Sequence, residues 1–107
     1  MITATILKRD RQTYGFVISG HSGYEEAGRD IVCSAVSVLA ENTVNAIEAF
    51  TGDPVEKLEV DECSGRIDFR LKTVSDKSAL LLDALVLGLR SISGSYASFV
   101  KVQVEED

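Results

Sequence analysis

The sequence predicts a two-layer α+β domain, an antiparallel-rich sheet covered by two long helices in the order ββαββαβ. Three observations predict it. The stretches "ITATILKR", "KLEVD" and "RIDFRLK" alternate apolar and polar residues, as half-buried strands do. Two longer stretches, about 30–50 and 75–96, repeat apolar residues every three or four positions, as helices with a buried face do. Hairpins and helices that each bury one face pack as two layers.

The elements follow in order. Residues 2–9 form the first strand, "DRQ" makes a short turn, and the aromatic and β-branched run 13–19, "TYGFVIS", returns as the second. Residues 20–29 hold Gly20, Gly23 and Gly28 with the acids Glu25 and Glu26, and read as a loop. The first helix is expected from Asp30 to Phe50, with Asp30 as its N-cap. Its apolar face is expected from Val32, Ala35, Val36, Leu39, Thr43, Ala46, Ile47 and Phe50. Gly52 and Pro54 end it. A second hairpin pairs 57–61 with 66–72 across the turn "CSG". The second helix begins at a Ser75 cap and runs to about Tyr96, and "SFVKVQVEE" closes the chain as a strand. The core of that helix, "ALLLDALVLGL", is apolar almost all round, although one sheet needs only a stripe. The excess predicts a second buried side, covered by another copy of the chain.

The chain of 107 residues is expected to be one domain, 1–107. A hydrophobic share of 45% supports a core without disulfide staples. The two cysteines are no disulfide framework, and no secretory signal is visible, so a reducing cytoplasmic location with both thiols reduced is expected. The apolar run of the second helix is short for a bilayer and carries Asp83, so no membrane partner is expected. The net charge of −6 argues against direct nucleic-acid binding and favours cationic partners such as a basic protein tail.

Chemistry concentrates in "GHSGYEEAGRDIVCSAVSVL". A helix N-terminus stabilises a thiolate, and with Asp30 as cap Cys33 would be the third helical residue. Free backbone N–H groups there could also hold an oxyanion. A cysteine hydrolase needs an acid–base partner, and His21 is the only histidine in the chain. Asp30 either caps the helix or orients His21. Ser37, one turn after Cys33, either bonds into the site or sits beside it. Ser19, Ser22 and Ser34 offer a serine alternative, but a thiol at a helix start is the better nucleophile. The plain alternative is that Cys33 is a small core residue, since it borders the apolar face. Cys63, between acids in a turn, reads as incidental. The residues supply no metal site, and no cofactor is expected.

The same stretch resembles the signature of the ribosomal-processing cysteine protease family, Prp. That family has a Gly-His pair, a glycine-rich loop and an Asp-Ile-Val-Cys-x-Ala-Val-Ser run in this order. The likeness extends through chain length, N-terminal hairpin and two long helices. It implies a small dimeric cytosolic protease that removes the N-terminal extension of the large-subunit ribosomal protein numbered twenty-seven in the bacterial series. It implies Cys33 as nucleophile and His21 as general base and acid. Gly20, Asp30 and Ser37 match site-shaping positions. Ser22 and Ser34 stand where alanine is common, and both are small. The loop residues Ser22, Gly23, Glu25, Glu26 and Gly28 would close over the peptide, with Glu25 and Glu26 against its basic residues, and an apolar pocket for an aromatic side chain is expected beside Cys33. The rival readings are a non-catalytic ribosome-associated peptide-binding or assembly factor, and a redox-sensing thiol protein.

Overall fold

The computed structural model of the chain describes residues 1–20, 27–61 and 65–107, with the backbone alone for 27–30. Strands β1 (Ile2–Arg9) and β2 (Gln12–Ser19) form the first hairpin. Asp10 and Arg11 between them both take positive φ, 53° and 67°. That is the turn whose twist matches antiparallel strands. Helix α1 (Ala27–Phe50) follows, then the hairpin β3 (Val55–Asp61) and β4 (Arg66–Leu71), helix α2 (Asp76–Ser95) and β5 (Val100–Glu106). The order ββαββαβ is the one expected.

The sheet runs β3-β4-β2-β1-β5. Every neighbouring pair is antiparallel except β1 and β5, which are parallel. Periodicity carries no information on this order. The connections explain why both helices share one face. The α1 crossover leaves β2 toward one edge, and the α2 crossover leaves the oppositely directed β4 toward the other. Two crossovers of the same hand, started from opposed strands and run in opposite senses, lie on one side of the sheet.

The core fills the space between. Ile6, Phe16, Ile18, Phe69 and Leu71 from the sheet meet Val36, Ala40 and Ile47 of α1 and Leu82, Leu85 and Leu89 of α2. Phe16 and Phe69 are cross-strand partners with ring centroids 5.7 Å apart. The inner face of α1 differs in part from expectation. Ala40 and Val44 are buried, while Ala35 and Phe50 are exposed. The buried stripe is centred on Val36, Ala40, Thr43 and Ile47, so Ala35 turns toward α2 and Phe50, the last helical residue, is left in solvent.

Ser75 caps α2 as expected, its hydroxyl accepting from the Ser78 N–H at 3.4 Å. Asp53 fixes the cap by accepting from the Ser75 hydroxyl at 2.7 Å and from its backbone N–H at 2.9 Å. A hydrogen bond from the Ser78 side chain, together with these two bonds, holds the Asp53 carboxyl below the usual carboxylate range. By length and composition alone α2 could cross a membrane, contrary to the expectation drawn from its eleven-residue apolar run. Its apolar content is accounted for differently. Leu82, Leu85 and Leu89 are buried in the core, and Leu80 and Leu87 are 70% and 69% exposed.

The opposite sheet face is polar and centred on Asp68 of β4, which is fully buried. Its carboxylate accepts from Arg70 Nε at 2.9 Å and Arg66 Nη2 at 3.3 Å, and Lys57 Nζ of β3 lies 3.2 Å away. Burial pushes this carboxyl up, but the hydrogen bonds from Arg70 and Lys57 outweigh it and hold it below the usual range. The cluster joins the β3–β4 hairpin to itself, and that hairpin forms one wall of the candidate site.

Candidate active site

Cys33 lies on α1, half-buried and packed against the core. Among the described residues it forms no disulfide. The helix begins at Ala27 rather than Asp30. Cys33 is therefore the seventh helical residue and not the third. The extension has a physical reason. Once a helix exists, each added residue contributes a hydrogen bond at little cost, and Ala27 and Arg29 are good helix formers. The penalty at Gly28, about 1 kcal/mol, is small beside this. Gly28 is thus helical and not a loop residue, and Asp30 is not the N-cap. The free N–H groups of the first turn of α1, residues 27–30, lie about 5–9 Å before Cys33 along the axis.

Of the other expected site residues, Ser34 and Ser37 are exposed on α1. His21, Ser22, Gly23, Glu25 and Glu26 lie outside the described residues, as does Cys63. The structure thus brings Cys33 and Ser37 to one side of α1 and does not locate His21 against them.

Gly20, immediately before His21, is placed. Its φ is +88°, and a Cβ built on it would stand 2.4 Å from the Met1 carbonyl oxygen. Only glycine accepts both conditions. Gly20→Ala is expected to cost about 1–2 kcal/mol from the backbone conformation alone. It also forces the chain that enters residues 21–26 away from Met1. The check is a urea unfolding series beside a peptidase assay, with activity falling further than the lost folded fraction explains.

Hollows flank α1 on two sides. The larger, about 660 Å³, lies between α1 and α2 and is lined by Ile31, Ser34, Ala35, Val38, Leu39, Asn42, Gly88 and Ile92. Gly88 permits the close approach, since a Cβ there would stand 2.7 Å from Leu39 Cδ2. At 100° per residue Ile31, Val38 and Asn42 lie roughly 140–180° around the helix from Cys33. This larger apolar hollow therefore opens on the far side of α1 from the thiol. On the near side, two smaller hollows of about 190 and 240 Å³ run between α1 and the β3–β4 hairpin. Ser37, Glu41, Asp61 and Arg66 line the first, Asn45, Val44 and Leu58 the second, and Glu41, Val60 and Ile67 line both. Sequence reasoning missed Glu41, Val60 and Ile67. The one available signal is that Glu41 follows Cys33 and Ser37 at four-residue steps on the same side of the helix.

A half-buried, helix-borne thiol one turn before Ser37, which lines that groove, on an α+β scaffold, offers the nucleophile of a thiol hydrolase. Comparison with known proteins makes this specific. The family model described as cysteine protease Prp matches residues 1–101, and the chain belongs to that family of cysteine proteases. The ribosomal processing cysteine protease Prp of Bacillus subtilis (strain 168) is 29% identical over 109 residues, covering 95% of this chain and 96% of the relative. Its counterpart from Staphylococcus aureus (strain Mu50) is 28% identical over 104 residues, covering 95% and 97%. Among solved structures, SMU.848 from Streptococcus mutans superposes with a TM-score of 0.89 at 33% identity, covering 100% of this chain and 96% of that one. The essential ribosomal processing protease Prp from S. aureus in complex with a substrate peptide gives 0.89 at 26% identity, covering 98% and 100%. The same protease with a covalently linked product peptide gives 0.87 at 27%, with the same coverage.

Proposed function

We propose that this protein is the endopeptidase that removes the N-terminal extension of the large-subunit ribosomal protein numbered twenty-seven, acting in the cytoplasm as a homodimer without cofactor. The observation that carries the reading is family membership over nearly the whole chain, with relatives named for ribosomal processing and one solved with a substrate peptide. Neither nucleic acid nor a membrane takes part directly; the net charge of −6 suits a basic protein tail instead.

In this reading the Cys33 thiolate attacks the scissile carbonyl carbon. The tetrahedral intermediate collapses with cleavage of the C–N bond, and His21 protonates the departing amine. A water, deprotonated by His21, then hydrolyses the thioester and restores the thiol. Closure of the 20–26 segment over the peptide would bring His21 to Cys33, with Asp30 orienting it, and Glu25 and Glu26 would meet basic residues of the substrate. The test is cleavage of the purified precursor with wild type, Cys33→Ala and His21→Ala side by side. Cleavage by wild type alone is expected.

The dimer has its own support. Leu80 and Leu87, seven residues apart on one side of α2, are exposed, as are Ile31 and Val38 beside the α1/α2 hollow. A second copy set on this surface would bury them, each leucine contributing about 1.5–3 kcal/mol. Leu87→Arg is expected to convert a sedimenting dimer into monomer at micromolar concentration while leaving the circular dichroism spectrum intact. A wild type that sediments as monomer refutes the dimer.

A further inference from the structure

We propose that the outer edge of β5 pairs antiparallel with β5 of another copy, in register about Gln103, and joins two five-stranded sheets into one. This contact lies on the sheet edge and is separate from the helix-layer dimer above. Three observations carry it.

The first is the edge itself. β5 is the last strand of the sheet, and among the described residues it pairs only with β1. That pairing runs unbroken from Val100 to Glu106, with no bulge, proline or glycine in the strand. The opposite edge differs, because β3 is interrupted by a register shift between Val55 and Lys57. Bulges, prolines and glycines are what usually spoil an edge for pairing, so β5 is the edge left open. Its end is also fixed in place. The Arg11 N–H donates to Glu106 Oε1 at 3.0 Å, and the Asp107 N–H donates to the Lys8 carbonyl at 2.9 Å. An edge already held straight loses little freedom on pairing.

The second is charge symmetry. Residues 101–105 read Lys-Val-Gln-Val-Glu. In an antiparallel pair centred on Gln103, Lys101 of each copy stands opposite Glu105 of the other, so the two-fold axis makes two opposite-charge pairs. Lys101, Gln103 and Glu105 share the sheet face away from the helices, and all three are exposed. Gln103 donates to Thr5 Oγ1 at 2.9 Å, which draws its side chain back over β1 and away from the axis.

The third is the apolar side. Val102 and Val104 alternate with these residues on the helix side of the strand. Val104 is 46% exposed although it belongs to a strand. In the same register Val102 of each copy meets Val104 of the other, a β-branched pair of the kind that stabilises sheets. One alignment therefore matches charge on one face and valines on the other. A slip of one residue would match neither.

The experiment is sedimentation across a concentration series, in wild type and in a Leu87→Arg background that removes the helix-layer contact. Five paired residues make a small interface, so association is expected at about 0.1–1 mM. Leu87→Arg alone should then pass from monomer to dimer, with slower hydrogen exchange confined to β5 amides. Glu105→Lys, which sets like charges opposite each other twice, is expected to weaken association about tenfold. The double variant Lys101→Glu/Glu105→Lys restores opposite pairs and should return to within about twofold of the parent. No association up to about 1 mM in either background overturns the proposal. So does association that Glu105→Lys leaves unchanged, because another surface then carries it. A double variant as weak as Glu105→Lys also overturns it, because the register about Gln103 is then wrong.

Discussion

Replacing Cys33 by alanine is expected to lower kcat/KM on a cleavable peptide by about 10⁴-fold or more, because removal of a catalytic nucleophile leaves only binding and electrostatic contributions. The loss is chemical and not structural. Cys33 is half-buried at the edge of the core, and exchanging its sulfur for a methyl hydrogen changes little volume. Stability should therefore move by about 1 kcal/mol or less. The pair of measurements separates the two roles open to this residue. A core cysteine would show the reverse, with activity retained and any change confined to the unfolding midpoint.

The second large effect is on stability. Asp68→Ala removes the one carboxylate that Arg66, Arg70 and Lys57 share on a fully buried position. Breaking a buried pair costs about 3–5 kcal/mol, and the partly exposed cations bring the expectation toward the lower end, about 3 kcal/mol. Asp68→Asn should recover part of this by keeping hydrogen-bond acceptance. The pH dependence has a definite sign. The folded Asp68 carboxyl titrates below its unfolded value. Its contribution is therefore fully present above the ordinary aspartate range, about pH 4, and is lost as pH falls through the folded value. Urea midpoints taken from pH 6 down to pH 3 should fall for wild type and fall less for Asp68→Asn. Parallel curves would remove Asp68 from the account of acid sensitivity. Because Asp68 holds the hairpin that walls the groove, the alanine variant should lose peptidase activity together with stability.

The elements were legible in the sequence where a single periodicity decides them. Alternation in "RIDFRLK" marks β4, and Ser75 followed by a long apolar pattern marks α2 and its cap. The strand order was not legible. The parallel pairing of β1 with β5 joins the two ends of the chain and follows from the crossovers. The start of α1 was misplaced because Gly28 and Asp30 both look like boundary residues locally. The helix nevertheless continues through them to Ala27. The family resemblance in residues 20–37 was legible because its residue types occur in a fixed order, and the family match over 1–101 agrees with it. The groove was not. Its walls, Glu41, Val60 and Ile67, come from three elements and meet only when the β3–β4 hairpin folds beside α1. None of the described hollows is lined by Cys33, and the one between α1 and α2 faces away from it.

The measurement that tests the central claim most directly is mass spectrometry of the ribosomal protein precursor after incubation with wild type, and in parallel with Cys33→Ala. The account predicts a product shortened at its N-terminus in the wild-type reaction alone, together with an acyl-enzyme mass on the Cys33 peptide after an acid quench. A precursor left intact in both reactions while still bound by both proteins would contradict it, and would make this chain a binder of the tail rather than the enzyme that cuts it.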